Sequence, residues 1–223
     1  MEHRIVLKKI EYVTHNVLHL IAEKPKGYGF SPGQATEVSI DKEGFRAKKR
    51  PFTFTSLPGD EDLEFTIKVY PSHDGVTKEL HQLKVGDHLL IGDAWGAIQY
   101  KGPGVFIAGG AGVTPFIAIL KDLHRKGKLG GHRLFFANQK EKDIICRNKL
   151  RTWLGDEVVH ILSKEDNGNF PHGHINRAFL EEHHLDNSGY VYLCGPPPMM
   201  DALPIELYAL GVPKDHLITE DPE

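Results

Sequence analysis

The sequence predicts a two-domain β plus α/β protein: an antiparallel barrel or sandwich of short strands, then a parallel sheet covered by helices on both faces. Three observations carry that expectation. The first half is a series of short β-forming runs broken by Gly-, Pro- and Asp-rich turns. From Gly104 onward, apolar strands alternate with helix patterns. A breaker-rich joint, Lys101-Gly102-Pro103-Gly104, separates the two rhythms and puts the expected domains at residues 1–101 and 102–223.

In the first half, strands are expected at Arg4–Ile10, Val17–Ala22, Ala35–Ile40, Arg50–Ser56, Leu63–Tyr70 and His88–Gly92. Turns such as Ser31-Pro32-Gly33 and Pro58-Gly59-Asp60 punctuate them. One helix is expected, from Gly75 to Leu83, because Leu80 and Leu83 share a face at i, i+3 spacing. In the second half, strands Gly104–Ala108, His132–Ala137, Val158–Leu162 and Tyr190–Cys194 alternate with helices Pro115–Arg125, Ile144–Leu154, Asn176–His183 and Met199–Leu210. A short apolar segment, His216–Thr219, follows the last helix.

Composition narrows the function classes. At 223 residues, 40% hydrophobic and 26% charged, the chain has the profile of a soluble globular protein. A net charge of −3 gives no basic face for nucleic acid. Lys48-Lys49-Arg50 is a short basic run that reads mainly as a solvated loop. Two cysteines are too few for a disulfide scaffold or a four-cysteine iron–sulfur cluster. No apolar stretch reaches the length of a membrane span, and the N-terminus lacks a signal-peptide core, so a cytoplasmic location is expected. The histidines, His172 and His174 included, lack metal-ligand spacing; no metal site is expected, and most histidines are expected at the surface.

Four short motifs carry chemistry. Gly109-Gly110-Ala111-Gly112-Val113-Thr114-Pro115 joins an apolar strand to a helix. Glycines allow close backbone approach, and the helix N-terminus offers free N–H groups to a pyrophosphate. The spacing differs from G-x-G-x-x-G, and a plain tight βα turn accounts for it equally well. Cys194-Gly195-Pro196-Pro197-Pro198-Met199-Met200 likewise ends a strand and opens a helix, which puts Cys194 at the same sheet edge. A buried structural thiol is the commoner fate of such a cysteine. In Arg50-Pro51-Phe52-Thr53-Phe54-Thr55-Ser56, a guanidinium, a flat ring and a hydroxyl could meet a phosphate and a heteroaromatic edge. An alternating strand with one exposed cation is the plain alternative. Gly75-Val76-Thr77-Lys78 could seat a phosphate or cap a helix.

In this order the motifs resemble those of the ferredoxin–NADP reductase superfamily, from the first strand to Glu220. The resemblance implies a six-stranded antiparallel Greek-key FAD-binding barrel followed by a doubly wound parallel-sheet nicotinamide-binding domain. It implies that Arg50 pairs with the FAD pyrophosphate, with Pro51 beside it. Phe52 would lie on the isoalloxazine, and Thr53 would hydrogen-bond near flavin N5. Ile67, Lys68 and Val69 would line the flavin, and Gly75, Val76 and Thr77 would cap the pyrophosphate. Gly110, Ala111, Gly112, Val113, Thr114 and Pro115 would hold the nicotinamide dinucleotide. Cys194, Gly195, Pro196, Met199 and Glu220 would sit on the nicotinamide side, with Thr53, Cys194 and Glu220 closest to the chemistry. Two departures stand out: the cysteines supply no ferredoxin-type cluster, and the residues after Thr219-Glu220 lack the terminal aromatic that plant-type members stack on the flavin.

The implied activity is hydride transfer from a nicotinamide cofactor to FAD, with electrons passed to a separate carrier such as flavodoxin, ferredoxin or a cytochrome. Direct reduction of free flavin or another small molecule is one alternative. A non-catalytic nucleotide-binding subunit is another. NADH is favoured over NADPH: Ala137-Asn138 and Asp143 resemble the Ala-Asn-x-x-x-x-Asp segment of NADH-dependent cytochrome and nitrate reductases. An acidic side chain there would repel a 2′-phosphate. Lys140, Lys142 and Arg147 argue the other way.

Overall fold

The computed structural model describes residues 1–70 and 75–220. Strands β1 (His3–Thr14), β2 (Val17–Glu23), β3 (Ala35–Ile40), β4 (Arg50–Thr53), β5 (Asp62–Lys68) and β6 (His88–Trp95) form one antiparallel sheet in the order β4-β3-β6-β1-β2-β5. The crossings that bring β6 between β3 and β1 are of Greek-key type. Just after β4, Phe54 bridges Phe65 of β5 and brings the two edges together, so the sheet curls into a barrel. Inward aromatics fill it. Phe30 stacks on Phe54 at 4.3 Å between centroids, and Phe54 meets Phe65 at 5.3 Å. Helix α1 (Val76–Leu80) closes one end by burying Val76 and Leu80.

The second sheet is parallel, with β7 (Gly104–Gly109), β8 (His132–Asn138), β9 (Val158–Leu162), β10 (Tyr190–Cys194) and β11 (Leu217–Thr219) in the order β11-β10-β7-β8-β9. The chain runs outward from β7 through β8 to β9, then returns to place β10 on the other side of β7. The switch point is therefore the crevice between the ends of β7 and β10. Helices α2 (Thr114–Arg125) and α3 (Arg147–Leu154) cover one face, and α4 (Arg177–Glu182) and α5 (Pro197–Ala209) the other. Each face buries its own set of strand side chains, which is why these strands are apolar throughout.

Every expected element is present; several boundaries move, β6 among them, which runs on to Trp95. Four of the shifts have a clear physical reason. β1 extends to Thr14 because it continues into a hairpin with β2, pairing Tyr12 with Leu18. β4 ends at Thr53, where the chain turns to close the barrel. α1 ends at Leu80, short of Leu83, which still packs on the barrel core. α3 begins at Arg147, later than expected, because Cys146 takes a left-handed conformation (φ 54°) and residues 141–143 form a separate 3-10 turn. Asp143 caps that turn by accepting the Lys140 N–H at 2.9 Å. The expectation of surface histidines holds for His172 and His174 but fails for His132 and His160, which are buried. His132 accepts or donates to the Tyr100 hydroxyl at 3.0 Å, and burial pushes the His160 imidazole down to about 4, so it is neutral at physiological pH.

The two units meet through apolar and charged contacts. Val17 of β2 and Ile98, from the joint between the sheets, are buried in the core under α2. On the rim, Lys121 of α2 reaches Asp60 at 3.1 Å and Glu64 at 3.4 Å, and Arg125 reaches Asp60 at 2.5 Å. The joint is also pinned to the parallel sheet. The Tyr192 hydroxyl accepts the Lys101 and Gly102 N–H groups and donates to the Gly102 carbonyl at 2.7 Å.

Candidate functional site

A cleft of about 920 Å³ runs along the junction, with walls from both units. Its size suits a substantial organic cofactor. The barrel contributes Pro51, Phe52 and Thr53 of β4, Thr66, Ile67 and Lys68 of β5, and Thr77 of α1. The parallel sheet contributes Ala111, Gly112 and Thr114 ahead of α2, Cys194 and Gly195 after β10, and Glu220 after β11. Residues far apart in sequence thus face one space, at the carboxyl ends of β7 and β10.

The two turns of the parallel sheet interlock. A Cβ on Gly112 would lie 2.3 Å from the Cys194 carbonyl oxygen, and one on Gly109 would lie 2.6 Å from Met199 Sδ. Much of the glycine signal therefore serves turn-on-turn packing. Gly110 differs: its φ is +52°, and an added Cβ would meet nothing within 4 Å. It occupies the left-handed region that favours glycine. Thr114 donates its hydroxyl to the Ala111 carbonyl at 2.9 Å and secures the turn at the amino end of α2. A helix start held in this way presents N–H groups to an anion.

Cys194 is buried at the floor of the crevice and hydrogen-bonded to Glu220. Burial, then the Glu220 charge, pushes its thiol well above the usual range, so it stays protonated at neutral pH. Glu220 keeps solvent contact along the open side of the cleft. Surrounding protein nonetheless raises its carboxyl, and the bond to Cys194 only partly opposes this. The pair can hold a proton beside a bound ring. It is not set up for thiolate attack.

Several expected residues sit elsewhere. Val69 and Val76 bury their side chains in the barrel core, and Val113 and Pro115 are buried beneath the turn, so any ligand contact they make is through backbone. Gly75 is the N-cap of α1 in an extended conformation. Arg50 is exposed, its guanidinium donating to the Lys49 carbonyl at 2.7 Å, and it lies outside the cleft wall. Pro196 is exposed, and Met199 packs against the α5 side of the sheet. Asn138 is buried with both side-chain amide atoms unpartnered. Asp143 sits beside His15 of the barrel, with 3.5 Å between Oδ1 and Nε2. Ser56, the last residue of the Arg50 motif, is fully buried and accepts the Glu64 N–H at 3.0 Å, a structural duty.

The cleft also holds residues that no motif flagged: Gly33, Ala35, Tyr70 and the segment Trp95-Gly96-Ala97-Ile98. A tryptophan beside a glycine, ending a strand just before the joint, was the available signal.

Residues 2–112 match the model of an FAD-binding domain, and residues 106–204 match that of an oxidoreductase NAD-binding domain. The reductase component of a naphthalene 1,2-dioxygenase system from Pseudomonas putida is 24% identical over 95% of this chain and 66% of its own length. NADH-cytochrome b5 reductase 1 of Aspergillus terreus is 29% identical over 94% of this chain and 78% of its own. The chain thus spans just under two thirds of the dioxygenase-system relative. Among solved structures, the flavohem-like FAD/NAD-binding domain of a nitric oxide dioxygenase from Vibrio cholerae superposes with a TM-score of 0.86 at 23% identity, over 97% of each chain. The cleft walls fit such cofactors: a βα turn with an open left-handed glycine stands opposite a strand carrying an aromatic ring and a buried hydroxyl. With a barrel that matches an FAD-binding domain, a parallel sheet that matches an NAD-binding domain, and their shared cleft at the switch point, the chain belongs to the ferredoxin–NADP reductase superfamily.

Proposed function

We propose that the chain is an NAD(P)H-dependent flavoprotein reductase that moves a hydride from NADH to FAD and passes electrons to a separate redox carrier, a ferredoxin, flavodoxin or cytochrome. The observation that carries this reading is the single cleft walled by β4 and β5 on one side and by the Gly110 and Cys194 turns on the other. Bound FAD would supply the chemistry, since it can take up two electrons together and release them singly. The chain's own part is to hold, orient and shield. Phe52 and Thr53 offer a ring face and a hydroxyl on the barrel side, and exposed Arg50 would turn from the Lys49 carbonyl toward a phosphate. Ala111, Gly112 and Thr114 offer backbone and hydroxyl contacts to the dinucleotide. Cys194 offers a protonated thiol, and Glu220 a carboxyl beside it, along the nicotinamide side. The boundary between the two functional domains belongs near residues 101 and 102, and a cytoplasmic setting fits the two free cysteines.

The preference for NADH rests on Asp143 and Glu141 at the end of β8. Glu141 is held by Arg147 at 2.5 Å and by Asn167 at 2.7 Å, which occupies a cation that could otherwise meet a 2′-phosphate. The test is direct. The purified protein should be yellow, anaerobic NADH should bleach it, and added carrier proteins should be reduced faster than free flavin. A colourless protein that takes up no FAD contradicts the reading. Faster reduction of free flavin would favour the small-molecule alternative, and a higher kcat/KM with NADPH would reverse the cofactor preference.

A further inference from the structure

Trp95 is a large side chain, 42% exposed, on the wall of the cleft. Its placement follows from the sheet. Ala35 of β3 is in register with Thr53 of β4 on one side and with Trp95 of β6 on the other. Register partners on neighbouring strands share a face, so Thr53, Ala35 and Trp95 form one row, and all three line the cleft. Two strand spacings, about 10 Å, separate the ends of the row. Ala94, one residue back, packs on the barrel core, and alternation turns Trp95 away from it.

The backbone beneath the indole is held. Gly96 (φ +130°) lies against Gln34 and Ala35, where an added Cβ would come within 3.6 Å of the Gln34 Cα. Gly33 (φ +98°) packs so closely under the segment that a Cβ there would lie 2.4 Å from the Ile98 carbonyl oxygen. Ile98 itself is buried in the core of the other unit. A rigidly mounted aromatic surface, left open to a cleft and level with Thr53, is arranged for a flat ligand.

We propose that Trp95 is a cofactor-contacting residue whose indole forms the outer wall of the seat for the flavin ring system, at the far end of the row from Thr53. The proposal rests on the reading of the barrel as an FAD site. A fused three-ring system lying along the row meets Thr53 at one end and the indole at the other. The contact is apolar and aromatic, so phenylalanine should replace it in part and alanine should not.

The test uses the whole 223-residue chain as purified. Trp95→Ala should raise the FAD dissociation constant about fivefold to tenfold, with Trp95→Phe within about twofold of wild type. Because the chain holds two tryptophans, Trp153→Phe leaves Trp95 as the sole tryptophan, excited selectively at the red edge of its absorption. Its fluorescence should be several-fold weaker with FAD bound than after FAD is removed. The change should be smaller in Trp95→Phe, where Trp153 reports. Unchanged FAD affinity in Trp95→Ala, or Trp95 emission indifferent to FAD, overturns the proposal and leaves the flavoprotein reading intact. A wild-type protein that takes up no FAD overturns both.

Discussion

At the residue scale, the most telling group is Cys194. A cysteine at a strand end facing a cofactor cleft invites a nucleophilic role, but its surroundings argue against one. Buried, and beside a carboxyl whose charge disfavours a thiolate, it stays neutral. Native Cys194 should therefore resist N-ethylmaleimide at neutral pH, with any label confined to the half-buried Cys146, whereas the unfolded chain takes two labels, one for each cysteine. Cys194→Ala should fold and retain flavin while slowing flavin reduction by NADH in stopped flow. A wild-type rate in that variant, or rapid labelling of native Cys194, would remove the thiol from the mechanism. Of the residues named from the sequence, Thr53, Gly112, Cys194 and Glu220 converge on one space. The inward side chains of Val69 and Val76 could not be told from cleft-facing ones by spacing alone, because curvature and closure of the barrel decide which face is open.

At the scale of elements, the crossing of the β7 and β10 turns sets the site. The Gly112 position touches the Cys194 backbone, so a methyl group there has nowhere to go without parting the two strand ends. Gly112→Ala should lower the Tm and cost about 1–3 kcal/mol of stability, as overpacking does. Gly110→Ala meets open space and should instead show the strain of a left-handed alanine, about 1 kcal/mol. Equal losses at both positions, measured by denaturant unfolding, would show that the turns do not interlock as described. The motif Gly-Gly-Ala-Gly announced a close approach, but sequence could not say whether the approaching partner was a ligand or another turn.

At the scale of the molecule, a charged network ties the barrel to α2. His19 of β2 lies 3.2 Å from Glu11 and 3.4 Å from Glu64, and Glu64 also meets Lys121. Lys9 in turn pairs with Glu11 at 2.8 Å. The bond to Glu64, offset in part by burial and helped by Glu11, holds the His19 imidazole above its ordinary value. Burial would raise the Glu64 carboxyl, but His19 and Lys121 outweigh it and keep it below the usual range. A raised imidazole stabilises the fold fully below its unfolded value of 6.5 and loses that contribution as pH climbs through the higher folded value. The lowered Glu64 acts in the opposite sense and loses its share only in acid. His19→Gln should therefore lower the Tm more at about pH 6 than at about pH 8.5. A gap that does not vary with pH would show that His19 stays neutral across that range.

Sequence by itself determined the two-unit order, the identity of each strand and helix, and the sheet edge where the Gly110 and Cys194 turns emerge. Those features follow from local periodicity and turn chemistry, which neighbouring residues carry without help from the rest of the chain. Only tertiary structure decided which residues share the cleft. Trp95 reached it through strand register, a pairing between β3 and β6 that lie far apart in the chain. His160 turned out to be buried, because Phe136 and Phe170 pack around it, and Asp143 to sit beside His15 of the barrel. The link from Lys121 to Asp60 and Glu64 likewise depends on how the barrel docks on α2, a long-range fit with no local signature.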